Sequence, residues 1–252
     1  MSKKGIILAG GSGTRLYPVT MCIPKSLVPL YNKPTIYYSL TTLLEQKCDD
    51  ILIICRSEFK PLFKMLFGNG SQFDIKISYA VQDVPRGIAD AYIIANKFLN
   101  NQPSTMILGD NLFIGKMPIL SEIAQANNTD ACIIQVNAKD ASHYGVYNSE
   151  SKTFIEKPKL GDYKYAIPGI YYFDGNVSKI ASTLKPSKRG EIEITDLMQQ
   201  YIKTEDLHIV TSDDVVWFDT GTFEDLADAS NYIRFIETKF GKRVGDPTFA
   251  II

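Results

Sequence analysis

Short apolar runs alternate along the chain with longer stretches in which apolar residues recur at helical spacing. Ile6 to Ala9 is an apolar run that fits a buried strand. Residues 50–55, 75–81, 104–108 and 131–136 read as further strands. Residues 35–46, 87–99 and 118–125 read as helices between them, and 61–67 as a short helix closed by Gly68-Asn69-Gly70. Strands alternating with helices are the mark of an α/β sheet. The second half is less regular. Residues 144–148, 153–156 and 169–173 predict shorter, partly antiparallel strands. Residues 191–204 predict a helix with Ile192, Ile194, Leu197, Met198 and Ile202 as its apolar positions. Two more strands, 207–211 and 215–218, precede a long closing helix over 223–240. No internal repeat, low-complexity stretch or linker intervenes, so one domain over residues 1–252 is expected.

Composition adds limits. The 252 residues are 45% hydrophobic, ample for a core, and the net charge is −1. That balance gives no general attraction to nucleic acid or to an acidic membrane surface, so any anionic ligand must be met by local cations. The apolar stretch after Met1-Ser2-Lys3-Lys4 is too short for a signal peptide. No run is long enough to span a bilayer. Cys22, Cys48, Cys55 and Cys132 are scattered without CxxC spacing, which predicts reduced thiols in a cytoplasmic protein. Two histidines, His143 and His208, cannot make a histidine-rich metal site.

The first strand breaks into Gly10-Gly11-Ser12-Gly13-Thr14-Arg15. Residues without a Cβ let backbone N–H groups approach a ligand closely, and such groups make an anion cradle. Arg15 adds a permanently charged fork suited to phosphate, and Lys25 a second cation. Together they predict a diphosphate or triphosphate site; a tight turn with no ligand is the alternative. The P-loop pattern fails because Arg15 stands where the second glycine belongs. The dinucleotide fingerprint fails at Leu16.

Asp110 and Asp219 each follow an apolar strand, where open α/β sheets place ligands. They could meet on one Mg²⁺ that also bridges phosphates, or each could cap the next turn. Glu156-Lys157 combines a hydroxyl acceptor with a phosphate partner, or is a solvated surface pair. Adjacent strand residues point to opposite faces, so their convergence on one ligand needs a strand end or a twist, which Pro158 would supply. The Gln82 amide both donates and accepts, and so could read the O4 and N3–H edge of thymine or uracil.

The blocks L-A-G-G-S-G-T-R-L, P-K-S-L-V-P, Leu108-Gly109-Asp110-Asn111, Glu156-Lys157-Pro158, Arg189-Gly190-Glu191 and Trp217-Phe218-Asp219-Thr220-Gly221-Thr222 resemble the sugar nucleotidyltransferases, in that family's order. The segment Tyr31 to Leu40 is similar to the glucose-1-phosphate thymidylyltransferase branch. The resemblance implies a Rossmann-like, three-layer α/β/α fold with a mixed, mainly parallel central sheet, of the nucleotidyltransferase and GT-A-like kind, with a smaller sugar-binding lobe. It implies dTTP and glucose 1-phosphate as substrates, with UTP or another hexose 1-phosphate as the alternative. It assigns Leu8, Gly10, Gly11, Ser12, Gly13 and Thr14 to substrate binding, Gln82 and Gly87 to the nucleoside, and Tyr144, Gly145, Glu156 and Ile167 to the sugar. Arg189 is a further phosphate contact or a structural salt bridge. Arg15, Lys25, Lys157 and Asp110 are implied in catalysis, with Asp110 and Asp219 as ligands of Mg²⁺. The chain departs from the family pattern at Ser26, at Ile167-Pro168-Gly169 and at Pro85-Arg86-Gly87-Ile88-Ala89-Asp90, all near the base and sugar pockets.

Two rival classes are weaker. A glycosyltransferase would bind metal through a D-x-D-like element, whereas this chain has Asp110-Asn111-Leu112. A non-catalytic nucleotide-binding regulator would have lost Arg15, Lys25, Asp110 or Asp219. The resemblance also implies a homo-oligomer, tetramer or dimer. Long members of the family add a C-terminal helical segment to a regulatory site, and residues 241–252, with two glycines and a proline, predict no long helix. A weak or absent remote site is therefore expected, with Phe249-Ala250-Ile251-Ile252 packed on the domain or a neighbouring subunit.

Overall fold

A computed structural model describes residues 3–159 and 163–248. The first half runs β1 (Lys4–Ala9), β2 (Pro29–Leu30), β3 (Lys33–Pro34), α1 (Ile36–Glu45), β4 (Asp50–Cys55), α2 (Lys60–Phe67), β5 (Lys76–Val81), α3 (Asp90–Leu99), β6 (Ser104–Leu108), β7 (Asn111–Gly115) and α4 (Leu120–Ala126). The second runs β8 (Ala131–Asn137), β9 (Gly145–Asn148), β10 (Thr153–Glu156), β11 (Tyr165–Ala166), β12 (Ile170–Phe173), α5 (Val177–Thr183), α6 (Ile194–Lys203), β13 (Leu207–Ser212), β14 (Val215–Asp219) and α7 (Phe223–Phe240). Residues 249–252 lie outside the described residues.

An eight-stranded sheet forms the middle layer. β1 lies parallel between β4 and β6, and β5 extends the sheet beyond β4. On the other side β12 runs antiparallel between β6 and β8, β11 pairs the far end of β8, and β13 lies parallel to β8. The sheet is mixed and mainly parallel.

Strand side chains alternate between faces, and here both faces are apolar. Ile7, Ile51, Ile53 and Ile107 share a core with Leu40 and Leu43 of α1, Phe63 and Phe67 of α2 and Leu120 of α4. Their neighbours Ile6, Leu52, Ile54 and Met106 share the opposite core with Tyr92 and Ala95 of α3, Val177 of α5 and Leu197 and Met198 of α6. Burying each such side chain contributes about 1.5–3 kcal/mol, so a continuous apolar strand holds a helix on each side. This gives the three-layer α/β/α arrangement. α7 packs apart, with Leu226, Ala229 and Ile233 against Leu16, Val28, Leu30 and Tyr38. It thereby anchors the segment that follows the glycine loop.

Two helices begin later than the sequence predicts, α3 at Asp90 and α6 at Ile194. The residues ahead of them pair with one another. Ile192 N–H donates to the Arg86 carbonyl (2.7 Å), and Ala89 N–H to the Ile192 carbonyl (3.2 Å). Gly87 sits between them at φ 104, outside the range of an ordinary side chain. A Cβ there would lie 2.6 Å from the Ile192 nitrogen and would overlap its carbonyl oxygen. Packing against Ile192 is by itself enough to require glycine at position 87. Gly87→Ala is expected to destabilise the fold by about 2 kcal/mol or more, a melting point lower by about 4–8 °C. Melting like the native chain while losing only nucleotide affinity would show that the ligand sets this residue.

Candidate active site

The glycine loop leaves β1 at its C-terminal end. Gly13 has φ 64 and opens a single 3₁₀ turn, Thr14–Leu16. Its carbonyl accepts from Leu16 N–H (2.9 Å) and from Thr20 Oγ1 (2.8 Å), which fixes the loop's exit. The loop backbone of Gly10, Gly11 and Ser12 spans the space between: Gly10 faces Gln82 Oε1 and Gly11 faces Lys25 Cε. Leu8 lies within β1, and its carbonyl accepts from Gly109 N–H (2.9 Å). That bond sets Asp110 just beyond the end of β6.

Asp110 and Asp219 are brought together by a strand pair that the sequence pattern does not predict. β14 runs antiparallel to β7 with Asp219 opposite Asn111. The junction is closed by Thr220, whose N–H (3.0 Å) and Oγ1 (2.9 Å) both donate to the Asp110 carbonyl. Lys25 Nζ donates directly to Asp110 Oδ2, and Arg15 Nη2 lies 3.9 Å from Asp219 Oδ2. The electrostatics follow from this crowding. Burial and the neighbouring Asp110 charge push the Asp219 carboxyl up to about 7. Burial pulls Lys25 down, but Asp110, through its charge and hydrogen bond, and Asp219 outweigh it and raise the ammonium overall. Two carboxylates in one partly dehydrated space call for a cation.

Among the described residues, no group of three or more His, Cys, Asp or Glu side chains could enclose a metal ion. A pair of carboxylates suits a hard divalent ion that takes its other ligands from phosphate and water. The donor set therefore fits a metal that arrives with, or is completed by, a phosphorylated substrate.

The opposite wall carries Glu156 and Lys157. Lys157 directly follows β10 in the left-handed region, at φ 47, and its N–H donates to the Tyr144 carbonyl (3.0 Å). The twist needed for the two side chains to converge lies at Lys157 itself. Burial, followed by repulsion from Glu193, raises the Glu156 carboxyl. Thr195 Oγ1 and Arg189 Nη1 each lie 3.5 Å from Glu156. Arg189 also pairs with Glu191 (3.1 Å) and Glu193 (3.6 Å), so it is held in a carboxylate cluster behind the wall. The floor is Gly145 and Ile167, joined by Ile167 N–H to the Gly145 carbonyl (2.8 Å).

These elements enclose a cavity of about 410 Å³. Of the residues singled out in the sequence, it gathers Arg15, Lys25, Asp110, Tyr144, Gly145, Glu156, Lys157, Ile167 and Asp219. Leu8, the residues 10–14, Gln82, Gly87 and Arg189 stand outside its lining.

Sequence reasoning gave no role to Asn111 and Trp217, which also line it. Buried Asn111 Oδ1 accepts from Trp217 Nε1 (2.7 Å) and Gly169 N–H (2.9 Å), tying three segments together. The Trp217 ring meets Tyr144 edge-on, with centroids 4.7 Å apart. Both residues sit inside recognised blocks, but nothing in the sequence pairs them.

The profile of the nucleotidyl transferase family matches residues 4–234. The chain belongs to that family. This nucleotidyl transferase is 42% identical over 251 residues to the glucose-1-phosphate thymidylyltransferase of Xanthomonas campestris pv. campestris, covering 97% of this chain and 85% of that one. A crystal structure from Bacillus anthracis, assigned as a glucose-1-phosphate thymidylyltransferase and solved with a sucrose, superposes with a TM-score of 0.84 at 35% identity. That match covers 92% of this chain and 96% of the other. A UDP-glucose pyrophosphorylase complexed with UDP-glucose superposes with a TM-score of 0.80 at 25% identity, covering 92% and 98%. This transferase is therefore an enzyme, of the mixed-sheet α/β class expected from its sequence. Among its described residues no helix is long and apolar enough to cross a membrane.

Proposed function

We propose that this enzyme joins dTTP and glucose 1-phosphate to make dTDP-glucose and pyrophosphate. The observation that carries the reading is that a carboxylate pair and two cations face the Glu156–Lys157 wall across one cavity. A phosphate oxygen of the sugar phosphate attacks the α-phosphorus in line. The bond from that phosphorus to the bridging oxygen breaks, and pyrophosphate departs. Such a reaction needs positioning and charge stabilisation more than a side-chain nucleophile.

Each residue then has a task. Arg15 and the amides of residues 10–14 hold the departing phosphates. Lys25, already cationic and fixed by Asp110, offsets charge that builds on the α-phosphate. Lys157 orients the attacking phosphate, and Glu156 accepts from sugar hydroxyls above the Gly145–Ile167 floor. Gln82 and the Gly87 turn meet the base. Asp110 and Asp219 would hold Mg²⁺, which when bound neutralises phosphate charge. Arg189 acts by steadying Glu156.

The likeness to a UDP-glucose pyrophosphorylase favours one second reading, in which UTP replaces dTTP. Pyrophosphate release across a matrix of nucleoside triphosphates and sugar 1-phosphates separates the two. The highest kcat/KM is expected for dTTP with glucose 1-phosphate. Release from no combination would end the proposal. The four cysteines are free, in keeping with a reducing cytoplasm. We also read the enzyme as a homo-oligomer, tetramer or dimer. Phe235 and Phe240, exposed on α7 with ring centroids 5.8 Å apart, are apolar surface that an interface could cover.

A further inference from the structure

Gln82 follows β5 and is 5% exposed, with its backbone N–H bonded to the Cys55 carbonyl (2.9 Å). Its amide nitrogen is fully engaged inside the protein. Nε2 donates to Asp90 Oδ2 (2.8 Å) and lies 3.4 Å from the Gly87 carbonyl. Asp90, the first residue of α3, is 1% exposed. Arg86 Nη2 lies 3.1 Å from its Oδ1 and 3.5 Å from its Oδ2. The carboxylate therefore presents only acceptor oxygens to Gln82 and carries a charge-assisted contact from Arg86.

This arrangement fixes which end of the amide faces Asp90 and which faces the glycine loop. If Gln82 flipped, Oε1 would meet Asp90 Oδ2 with no proton between them, two acceptors at hydrogen-bond distance. A buried acceptor left in that position loses its bond and carries the full cost of desolvation. Oε1 is thus kept away from Asp90 and over Gly10, where a Cβ would lie 3.0 Å from it. Among the described residues it accepts no hydrogen bond. An amide that could in principle donate or accept is reduced to an acceptor alone.

We propose that Asp90 is the positioning residue that sets base specificity: by holding Nε2 it presents Gln82 Oε1 as an acceptor and so selects bases with a ring N–H. The proposal rests on the reading of Gln82 as a nucleobase contact. Thymine and uracil offer N3–H to such an acceptor. Cytosine offers a bare N3 lone pair, and reaching Oε1 with its amino group would shift the ring off its seat. The device therefore excludes cytosine but does not separate dTTP from UTP. A site built around one hydrogen bond rejects the analogue that lacks it, because the buried group is left unpaired.

Asp90→Asn removes the constraint, since asparagine can accept from Nε2 or donate to Oε1. The KM for dTTP is expected to rise about 10-fold with kcat little changed, and the preference for dTTP over dCTP in kcat/KM to fall by about 10-fold or more. Adding Gln82→Glu to Asp90→Asn reverses the polarity of the pair. The introduced asparagine would be the donor, and the second oxygen of the introduced glutamate would face the base as an acceptor. That double variant is expected to regain most of the preference, which a residue that only supports the helix would not do. Two analogues test the native enzyme without any substitution. N3-methyl-dTTP is expected to bind at least about 10-fold more weakly than dTTP, and 4-thio-dTTP within about 3-fold. Unchanged dTTP-to-dCTP preference in Asp90→Asn, or tolerance of N3-methyl-dTTP by the native enzyme, overturns the proposal. If the native enzyme binds no pyrimidine triphosphate at all, the functional reading fails first, and the two failures are told apart by that measurement.

Discussion

Asp219→Asn is expected to lose turnover by about 1,000-fold and yet to melt about 2–4 °C higher than the native chain at pH 8 in metal-free buffer. Both effects come from the same crowding. Burial and the Asp110 charge raise the Asp219 carboxyl from its ordinary 3.8 to about 7 in the folded chain. The folded state then holds this proton more tightly than the unfolded state. That advantage is complete below about pH 4 and is lost as pH rises through about 7. At pH 8 the ionised carboxylate is kept in the fold at a cost, and a neutral amide of the same shape relieves about 1 kcal/mol of it. Turnover falls because one of the two carboxylates that face the phosphates is gone. Asp110→Asn is expected to lose a similar factor in turnover but to melt lower, since it leaves the half-buried Lys25 ammonium without its partner. Melting curves with and without Mg²⁺ provide a second readout. Mg²⁺ should raise the melting point of the native chain and leave Asp219→Asn nearly unmoved. Near-native turnover of both variants at limiting and saturating Mg²⁺ would remove these carboxylates from the mechanism.

Lys157→Ala and Arg15→Ala are expected to damage opposite substrates. Loss of a charge-assisted bond to phosphate corresponds to about a 10–100-fold weakening. For Lys157→Ala that loss should appear in the KM for glucose 1-phosphate and in turnover, because Lys157 stands on the wall that carries Glu156. For Arg15→Ala it should appear with the triphosphate, because the side chain is more than half exposed beside Asp219, at the mouth of the glycine loop. Steady-state kinetics with each substrate varied in turn measure the split. Equal effects on both substrates would merge the two subsites. Ping-pong kinetics with a trapped nucleotidyl-enzyme would contradict direct displacement.

Much of this protein could be read along the chain. β1 and β4, in the middle of the sheet, carry continuous apolar runs because both their faces are covered, and that pattern is visible without any tertiary knowledge. The glycine loop, Arg15, Lys25 and the carboxylates after strands were equally visible, because phosphate chemistry restricts the residue types that can meet it. Helix starts were less legible. The apolar spacing around Gly87 and Ile192 continues as if helical, yet these residues bond to each other across the fold. Local periodicity cannot report a partner so distant in sequence.

What the tertiary structure alone decided is how the site is assembled. Asp110 and Thr220 are 110 residues apart, and the pairing of β7 with β14 puts Asp219 opposite Asn111. The sequence pattern predicts no strand at β7, since Asn111–Gly115 follows β6 after only Gly109 and Asp110 and resembles its continuation. It also allows Gln82 both halves of its amide, Gly87 a ligand, and Arg189 a phosphate. The fold assigns the amide nitrogen to Asp90, the glycine to Ile192 and the guanidinium to three glutamates. Residue type sets which contacts a side chain is able to make. Which of them it makes depends on the neighbours the fold supplies: Ile192 reaches Gly87 and Glu156 reaches Arg189 from distant parts of the chain, while Asp90, Glu191 and Glu193 are near in sequence and are brought to bear by the local turns.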